Sequence, residues 1–175
     1  MVLRYRVSLP GIKGFARVYE IKGSSTLYTF AKQMRGDMGF PQDQMVLFKA
    51  FDGAGNVSSR YSMFDLGAGT IDDVTLDQTL KRGEQSFVFF YDTTNKKSVL
   101  LNFEGKVDET KNMLYPALVE TKGPDPIEFE NGYVAFEDLP DDKKKDPEDD
   151  DDDDDLDVAE DDDDEEDVVY DEDDE

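Results

Sequence analysis

The distribution of charge along this chain limits which of its residues can fold. Residues 141–175 carry 25 Asp or Glu against three Lys, a net charge of −22, whereas residues 1–140 carry 19 against 16 Lys or Arg, a net charge of −3. Aromatic side chains are distributed in the opposite way, because 19 of the 20 Phe and Tyr precede residue 141. We therefore predict a globular domain at residues 1–140 and a disordered polyanionic segment, the acidic tail, at residues 141–175.

Disorder is expected because the acidic tail has too little apolar surface to offset the cost of ordering, about 1–2 kcal/mol per residue. The tail contains two short apolar islands, residues 156–159 and 168–170. Each island is either an incidental part of a solubilising segment or a piece that adds as a strand to a partner's sheet edge. The tail lacks Gly, so it cannot form an EF-hand calcium loop, and we expect no specific metal site.

The absence of two residue types excludes several kinds of chemistry. The chain contains no Cys and no His, which excludes disulfides, thiolate nucleophiles, imidazole bases and zinc sites of the Cys/His kind. The N-terminus lacks the continuous apolar stretch of a signal peptide, and the longest apolar run, residues 87–91, is far too short to cross a membrane. We expect a cytoplasmic, monomeric protein that has no cofactor and no contact with a membrane.

The N-terminal third predicts a hairpin and a helix. From Leu3 to Leu9 apolar residues alternate with polar ones, which is typical of a half-buried strand, and residues 15–21 form its return strand. Ser24 and Ser25 are candidate N-caps for a helix that Gly39 ends. Five apolar residues recur on one face of that helix: Leu27, Phe30, Ala31, Met34 and Met38.

Further apolar runs complete an α+β fold. Strands are predicted near residues 45–51, 61–64, 86–91 and 98–107, with a short helix at residues 75–84. The prolines after residue 115 indicate an irregular segment with one edge strand. The resulting order, β-β-α-β-(β)-α-β-β, predicts a mixed β-sheet with one main helix packed across it, and it is β-grasp-like in outline.

The first 36 residues are basic. They contain seven Lys or Arg against Glu20 alone, a net charge of +6. Arg4 and Arg6 share one face of the first strand, and we expect Arg17 to lie across from them. These residues either keep a strand face hydrated or bind an anion, which would be a polyanion such as nucleic acid, an acidic protein, or the chain's own tail. The candidate anion-binding residues, together called the basic hairpin, are Arg4, Arg6, Lys13, Arg17 and Lys22.

Short motifs along residues 3–135 occur in the order in which one known family carries them. The matching residues are Tyr5, Val7, Leu9, Gly11, Ile12, Met38, Gly39, Phe40, Phe48, Leu76, Leu80, Gly83, Tyr91, Asp92, Pro116, Gly123, Pro124, Pro126, Gly132 and Tyr133. In this order the chain resembles the plasmid ORF-three-like family, which is named for a reading frame of the Agrobacterium root-inducing plasmid. The same family is also labelled the insertion-element passenger TnpR family.

The resemblance implies a bacterial protein associated with mobile elements, and a common fold more than a common activity. It also marks Tyr91 and Asp92 as a family-related site. Ala16 stands where the family has Trp, Gln44 and Met45 stand where it has His, and residues 93–98 replace its Gly-Asp-x-Trp-x-His pattern. A site built from those Trp or His side chains therefore cannot be carried over to this chain.

Two functions from different classes remain. A serine resolvase is disfavoured because the six Arg form no cluster with a Ser nucleophile. We predict a non-enzymatic interaction protein whose acidic tail screens or binds basic surfaces. We expect the tail to make salt-sensitive contact with its own basic hairpin around Arg4, Arg6 and Arg17, where it competes with external polyanions, and a variant is that it captures a basic partner protein. The alternative is a small metal-assisted hydrolase or transferase that uses Asp92 and nearby carboxylates. A cleft that holds Asp92 beside a second buried carboxylate would favour the enzyme, and an exposed Asp92 at a hairpin tip would argue against it.

Overall fold

The computed structural model describes residues 1–134 and 139–140. The strands are β1 (Val2–Leu9), β2 (Ile12–Lys22), β3 (Leu47–Asp52), β4 (Val57–Ser62), β5 (Glu84–Asp92), β6 (Lys97–Val107) and β7 (Ala117–Lys122). The helices are α1 (Leu27–Met38), α2 (Leu76–Lys81) and α3 (Pro126–Glu130). The acidic tail lies outside the described residues, so its disorder and the boundary at residue 140 stay predictions.

The strands form one sheet in the order β4-β3-β5-β6-β1-β2-β7. All six neighbouring pairs are antiparallel. The α+β class is therefore confirmed, whereas the mixed sheet is wrong. Hydrophobic periodicity identifies a strand but carries no information about the direction of its partner. No two neighbouring strands of this sheet are parallel, so the β-grasp-like order is not confirmed.

The N-terminal hairpin shows how the sequence pattern fixes the inner face of the sheet. Leu3, Tyr5 and Val7 of β1 are fully buried, and Gly11, with φ of 73°, supplies the left-handed turn to β2. β2 is more buried than β1, because its residues 14–21 are all buried. β2 is not an edge strand, because it lies between β1 and β7 in the sheet.

Helix α1 follows the predicted amphipathic pattern. Its five predicted core residues are all buried, and the Phe30 ring lies 5.5 Å from Tyr5 and 5.6 Å from Tyr19. The N-cap is Thr26 rather than Ser24 or Ser25, and its side chain accepts a hydrogen bond from the Thr29 amide at 3.2 Å. Among the described residues, no helix is long and apolar enough to cross a membrane.

Candidate functional site

The arginines of β1 are paired with carboxylates of neighbouring strands. Arg4 Nη2 lies 2.6 Å from Glu20 Oε1 across the β1–β2 pair. Arg6 Nε lies 2.5 Å from Glu104 Oε1, and its Nη1 lies 3.5 Å from Glu120 Oε1. The hydrogen bond to Glu104 is the main cause that raises the pKa of Arg6. Both guanidinium groups therefore already have anionic partners within the domain.

Arg17 does not lie across from Arg4 and Arg6. It pairs with Val7 in the register of the hairpin, so it occupies the inner face of the sheet, and its side chain is 3% exposed. Its guanidinium donates hydrogen bonds to the carbonyl oxygens of Lys122 at 2.7 Å and Ala16 at 3.0 Å. It also lies 3.3 Å from Asp125. Arg17 thus joins β2 to the segment between β7 and α3.

The two lysines of the basic hairpin lie away from this contact. Lys22 Nζ is 3.0 Å from Glu109, and it lies 6.0 Å from the centre of the Tyr115 ring. Lys13 is exposed near the turn between β1 and β2. The structure therefore does not bring the five predicted anion-binding residues together at one point, and their anion-binding role stays a prediction.

Tyr91 and Asp92 end β5 beside a cleft. The Tyr91 ring stacks on Phe40, which follows the C-cap Gly39 of α1, with centroids 3.7 Å apart and planes within 4°. The Tyr91 hydroxyl reaches Glu130 Oε1 of α3 at 3.5 Å, the long limit of a hydrogen bond. Burial raises the pKa of Tyr91 to about 12, so its hydroxyl stays protonated further into the alkaline range than an ordinary tyrosine does.

Asp92 is 9% exposed, and its carboxylate is used by the turn that follows it. Oδ1 accepts a hydrogen bond from the Asn95 amide at 3.1 Å, and Oδ2 accepts one from the Asn95 side chain at 2.8 Å. These bonds, the side-chain one first, lower the pKa of Asp92, and the charge of nearby Lys97 adds to the effect. Asp92 is therefore a buried, ionised turn residue.

Two hollows, together called the β5 cleft, flank an ion pair between Lys97 Nζ and Glu130 Oε2 at 2.9 Å. The larger, of about 300 Å³, is lined by Leu9, Ile12, Tyr91, Lys96, Lys97, Ser98, Pro126, Phe129 and Glu130. The smaller, of about 170 Å³, is lined by Gly39, Phe40, Pro41, Tyr91, Asp92, Lys97, Ile127 and Glu130. Tyr91, Lys97 and Glu130 contribute to both hollows.

Sequence reasoning found only part of this cleft. It identified Tyr91 and Asp92, but it missed Glu130, which lies 33 residues after its partner Lys97. Glu130 was missed because it lies on helix α3, which begins at Pro126 and has only five residues. The sequence analysis predicts an irregular segment there. The Asp125-Pro126 pair, a capping residue type followed by Pro at the first helical position, could have indicated this helix.

The carboxylates of the described residues do not gather into a metal site. Within residues 1–134 and 139–140, no group of three or more Asp or Glu side chains could hold a metal ion. The second carboxylate of the β5 cleft, Glu130, has a side chain that is 36% exposed. The buried carboxylate pair that would favour an enzyme is therefore not present in this cleft.

Comparison with known proteins gives the family. The family described as plasmid pRiA4b ORF-3-like protein matches residues 1–174. This chain belongs to that family. Two residues that match the family's motifs, Tyr91 and Asp92, lie in the β5 cleft. Residues 93–98, which differ from the family's motif, form the turn beside the cleft and the start of β6.

A solved structure with a similar fold comes from Methanosarcina mazei Go1. That protein, of unknown function, is 14% identical in sequence, with a TM-score of 0.62 over 71% of this chain and 70% of that chain. At this identity the likeness shows the fold alone. Among curated proteins, no sequence matches this chain.

Proposed function

We propose that this protein is a non-enzymatic, cytoplasmic interaction protein whose acidic tail binds a basic surface on a partner protein. The tail's net charge of −22 attracts cations, and these belong either to the basic hairpin or to a partner protein. One observation supports an external partner: three of the hairpin cations, Arg4, Arg6 and Lys22, already have carboxylate partners within the domain.

Three of the cations of the basic hairpin form ion pairs within the folded domain. They are the exposed or half-buried Arg4, Arg6 and Lys22, and their carboxylate partners are Glu20, Glu104, Glu109 and Glu120. Three cations therefore face four carboxylates, although residues 1–36 alone carry a net charge of +6. A polyanion that approaches these three cations therefore has to compete with carboxylates that already lie within ion-pair distance.

The acidic tail suits a basic partner in a specific way. Its 25 carboxylates are distributed along 35 residues, so many weak contacts can form without a fixed geometry. Attraction of this kind raises association rates and weakens steeply as salt is added. The apolar islands at residues 156–159 and 168–170 add short pieces that could extend a partner's sheet.

The test compares the full chain with a 1–140 truncation for binding to a Lys-rich peptide and to duplex DNA. The full chain should bind the peptide at low ionic strength and release it as salt is raised, and the truncation should not bind it. Neither protein should bind DNA. Peptide binding by the truncation would contradict the proposal, and DNA binding by either protein would favour an anion-binding role for the hairpin instead. A full-length control with the tail's Asp and Glu replaced by Asn and Gln separates charge from length.

The metal-assisted hydrolase or transferase is the lesser proposal. Its support is the burial of Asp92 in a cleft. Against it, both Asp92 oxygens accept hydrogen bonds from Asn95, and Glu130 is exposed and paired with Lys97. General acid–base work needs two carboxyl groups whose environments separate their pKa values, and this arrangement gives Asp92 no such partner.

A further inference from the structure

The larger hollow of the β5 cleft combines an apolar wall with a cluster of hydrogen-bond donors. Leu9, Ile12, Pro126 and Phe129 form the wall, and the Phe129 ring is held by an edge contact to Phe15 at 6.1 Å. A volume of about 300 Å³ is at the small end of the range for ligand sites, which are apolar clefts with a few placed polar groups. The wall can therefore cover one aromatic ring or a short aliphatic chain.

The polar side of the same hollow consists mainly of donors. Lys96 and Lys97 carry ammonium groups, and Ser98 and Tyr91 carry hydroxyl groups. Glu130 is the single carboxylate that lines this hollow, because Asp92 belongs to the smaller one. The lining of this hollow itself has two cations against one anion, with Asp92 near Lys97 on the side of the smaller hollow, and this surplus favours a ligand with a negative charge.

These donors are not fully used within the domain. The Tyr91 hydroxyl meets Glu130 only at 3.5 Å, and an ammonium group such as that of Lys97 has three N–H groups, one of which points to Glu130. The Lys97 and Glu130 side chains are 38% and 36% exposed, so their pair is open to solvent and weakly held. A ligand carboxylate can take the place of the Glu130 carboxylate at Lys97.

We propose that the larger hollow binds a small amphipathic carboxylate, an organic acid with one aromatic ring or a short aliphatic chain. The apolar body lies against Leu9, Ile12 and Phe129, and the carboxylate accepts hydrogen bonds from Lys97 and Tyr91. Glu130 occupies the carboxylate position when the ligand is absent, and it competes with the ligand for Lys97. This proposal uses no residue of the acidic tail, so its test does not depend on the proposed function.

Phenylpropionate is a suitable probe, because it combines a ring with a carboxylate on a flexible chain. Titration into the full-length protein, followed by amide proton–nitrogen correlation spectra, should shift amides at residues 91–98 and 127–130 with a dissociation constant of about 1 mM, the range expected for so small a ligand. Phenylpropanol, which has the same body without the carboxylate, should bind at least about tenfold more weakly.

Two variants test the carboxylate position directly. Lys97→Met keeps the length of the side chain but removes its charge, and it should weaken phenylpropionate binding by about tenfold or more. Glu130→Gln removes the internal competitor, and it should tighten binding several-fold. Lys111→Met and Glu128→Gln, which change one charge each outside the cleft lining, should leave the dissociation constant unchanged.

Three results would overturn the site. The first is that phenylpropionate leaves the cleft amides unshifted at a concentration ten times the expected dissociation constant. The second is that phenylpropanol binds as tightly as the acid. The third is that Lys97→Met binds phenylpropionate as tightly as the natural chain does. Weaker binding by Glu130→Gln would contradict the competition between Glu130 and the ligand. Amides on β3 and β4 report whether each variant keeps its fold, because these strands lie outside the cleft.

Discussion

At the scale of single residues, the same side chain can have opposite roles depending on partners far along the chain. Arg17 is one of seven cations in the first 36 residues, and on that basis it was predicted to bind an anion. Its carbonyl partner at Lys122 lies 105 residues later, and its register partner Val7 places it on the buried face. A count of local charge cannot contain either fact.

Replacing Arg17 by Met should therefore destabilise the domain. The variant leaves the Lys122 carbonyl oxygen without its short hydrogen bond and removes the contact with Asp125, at a cost of about 2–4 kcal/mol in the free energy of unfolding. Urea unfolding measures the difference. Lys13→Met, at an exposed position of the same hairpin, is the matched control and should change stability by less than about 0.5 kcal/mol. Equal effects of the two changes would mean that Arg17 is not a structural link.

Asp92→Asn should alter the pH dependence of stability. The folded protein lowers the pKa of Asp92 below its unfolded value of about 3.9, so the ionised carboxylate stabilises the fold above that pH. This contribution is lost as pH falls through the lower, folded pKa. The natural chain should be more stable than Asp92→Asn at neutral pH, and the difference should shrink below about pH 4.

Urea unfolding at a series of pH values measures this difference. In an Asn95→Ala background, which removes the side-chain donor to Asp92, the effect of Asp92→Asn should be smaller. A difference that does not change between neutral and acidic pH would show that the Asn95 hydrogen bonds do not act on the ionised carboxylate.

At the scale of elements, the sequence predicts those whose signal is periodic and misses those whose signal is not. The core face of α1 follows from its five apolar residues. Helix α3 has only five residues, too few for a period to show, and it is identified by its cap and its Pro. Strand positions follow from apolar runs, but the antiparallel direction of every pair depends on how the chain returns to the sheet.

Two glycines near the end of α1 should respond oppositely to replacement by Ala. Gly36 lies inside the helix with open space at its Cβ position, so Gly36→Ala should stabilise the domain by about 0.5–1 kcal/mol. Gly39 is the C-cap with φ of 67°, a left-handed conformation that costs a residue with a Cβ about 1–2 kcal/mol. Its added Cβ would meet only Asp125 Oδ2 at an ordinary 3.6 Å, so the conformational cost decides the sign.

Thermal unfolding of both Gly variants gives the comparison. A stabilising Gly39→Ala would show that the helix ends differently from the C-cap seen here. Destabilisation by Gly36→Ala would show that the Cβ position of Gly36 is not open space.

At the scale of the whole molecule, folding brings together oppositely charged residues that lie far apart along the chain. The basic N-terminal third meets Glu104 of β6 and Glu120 of β7, because β1 and β2 lie next to those strands in the sheet. The sequence places the acidity in residues 141–175, but it cannot show that the hairpin cations already have carboxylate partners. This pairing directs the proposed role of the acidic tail away from its own domain and toward a partner.

Amide proton–nitrogen correlation spectra of the full chain and of the 1–140 truncation, recorded at low ionic strength, test this pairing most directly. The amides of β1 and β2 should superimpose in the two spectra, because Arg4, Arg6 and Lys22 already have carboxylate partners within the domain. Chemical-shift differences that follow β1 and β2 and disappear as salt is added would show that the acidic tail binds the basic hairpin, and would contradict the account.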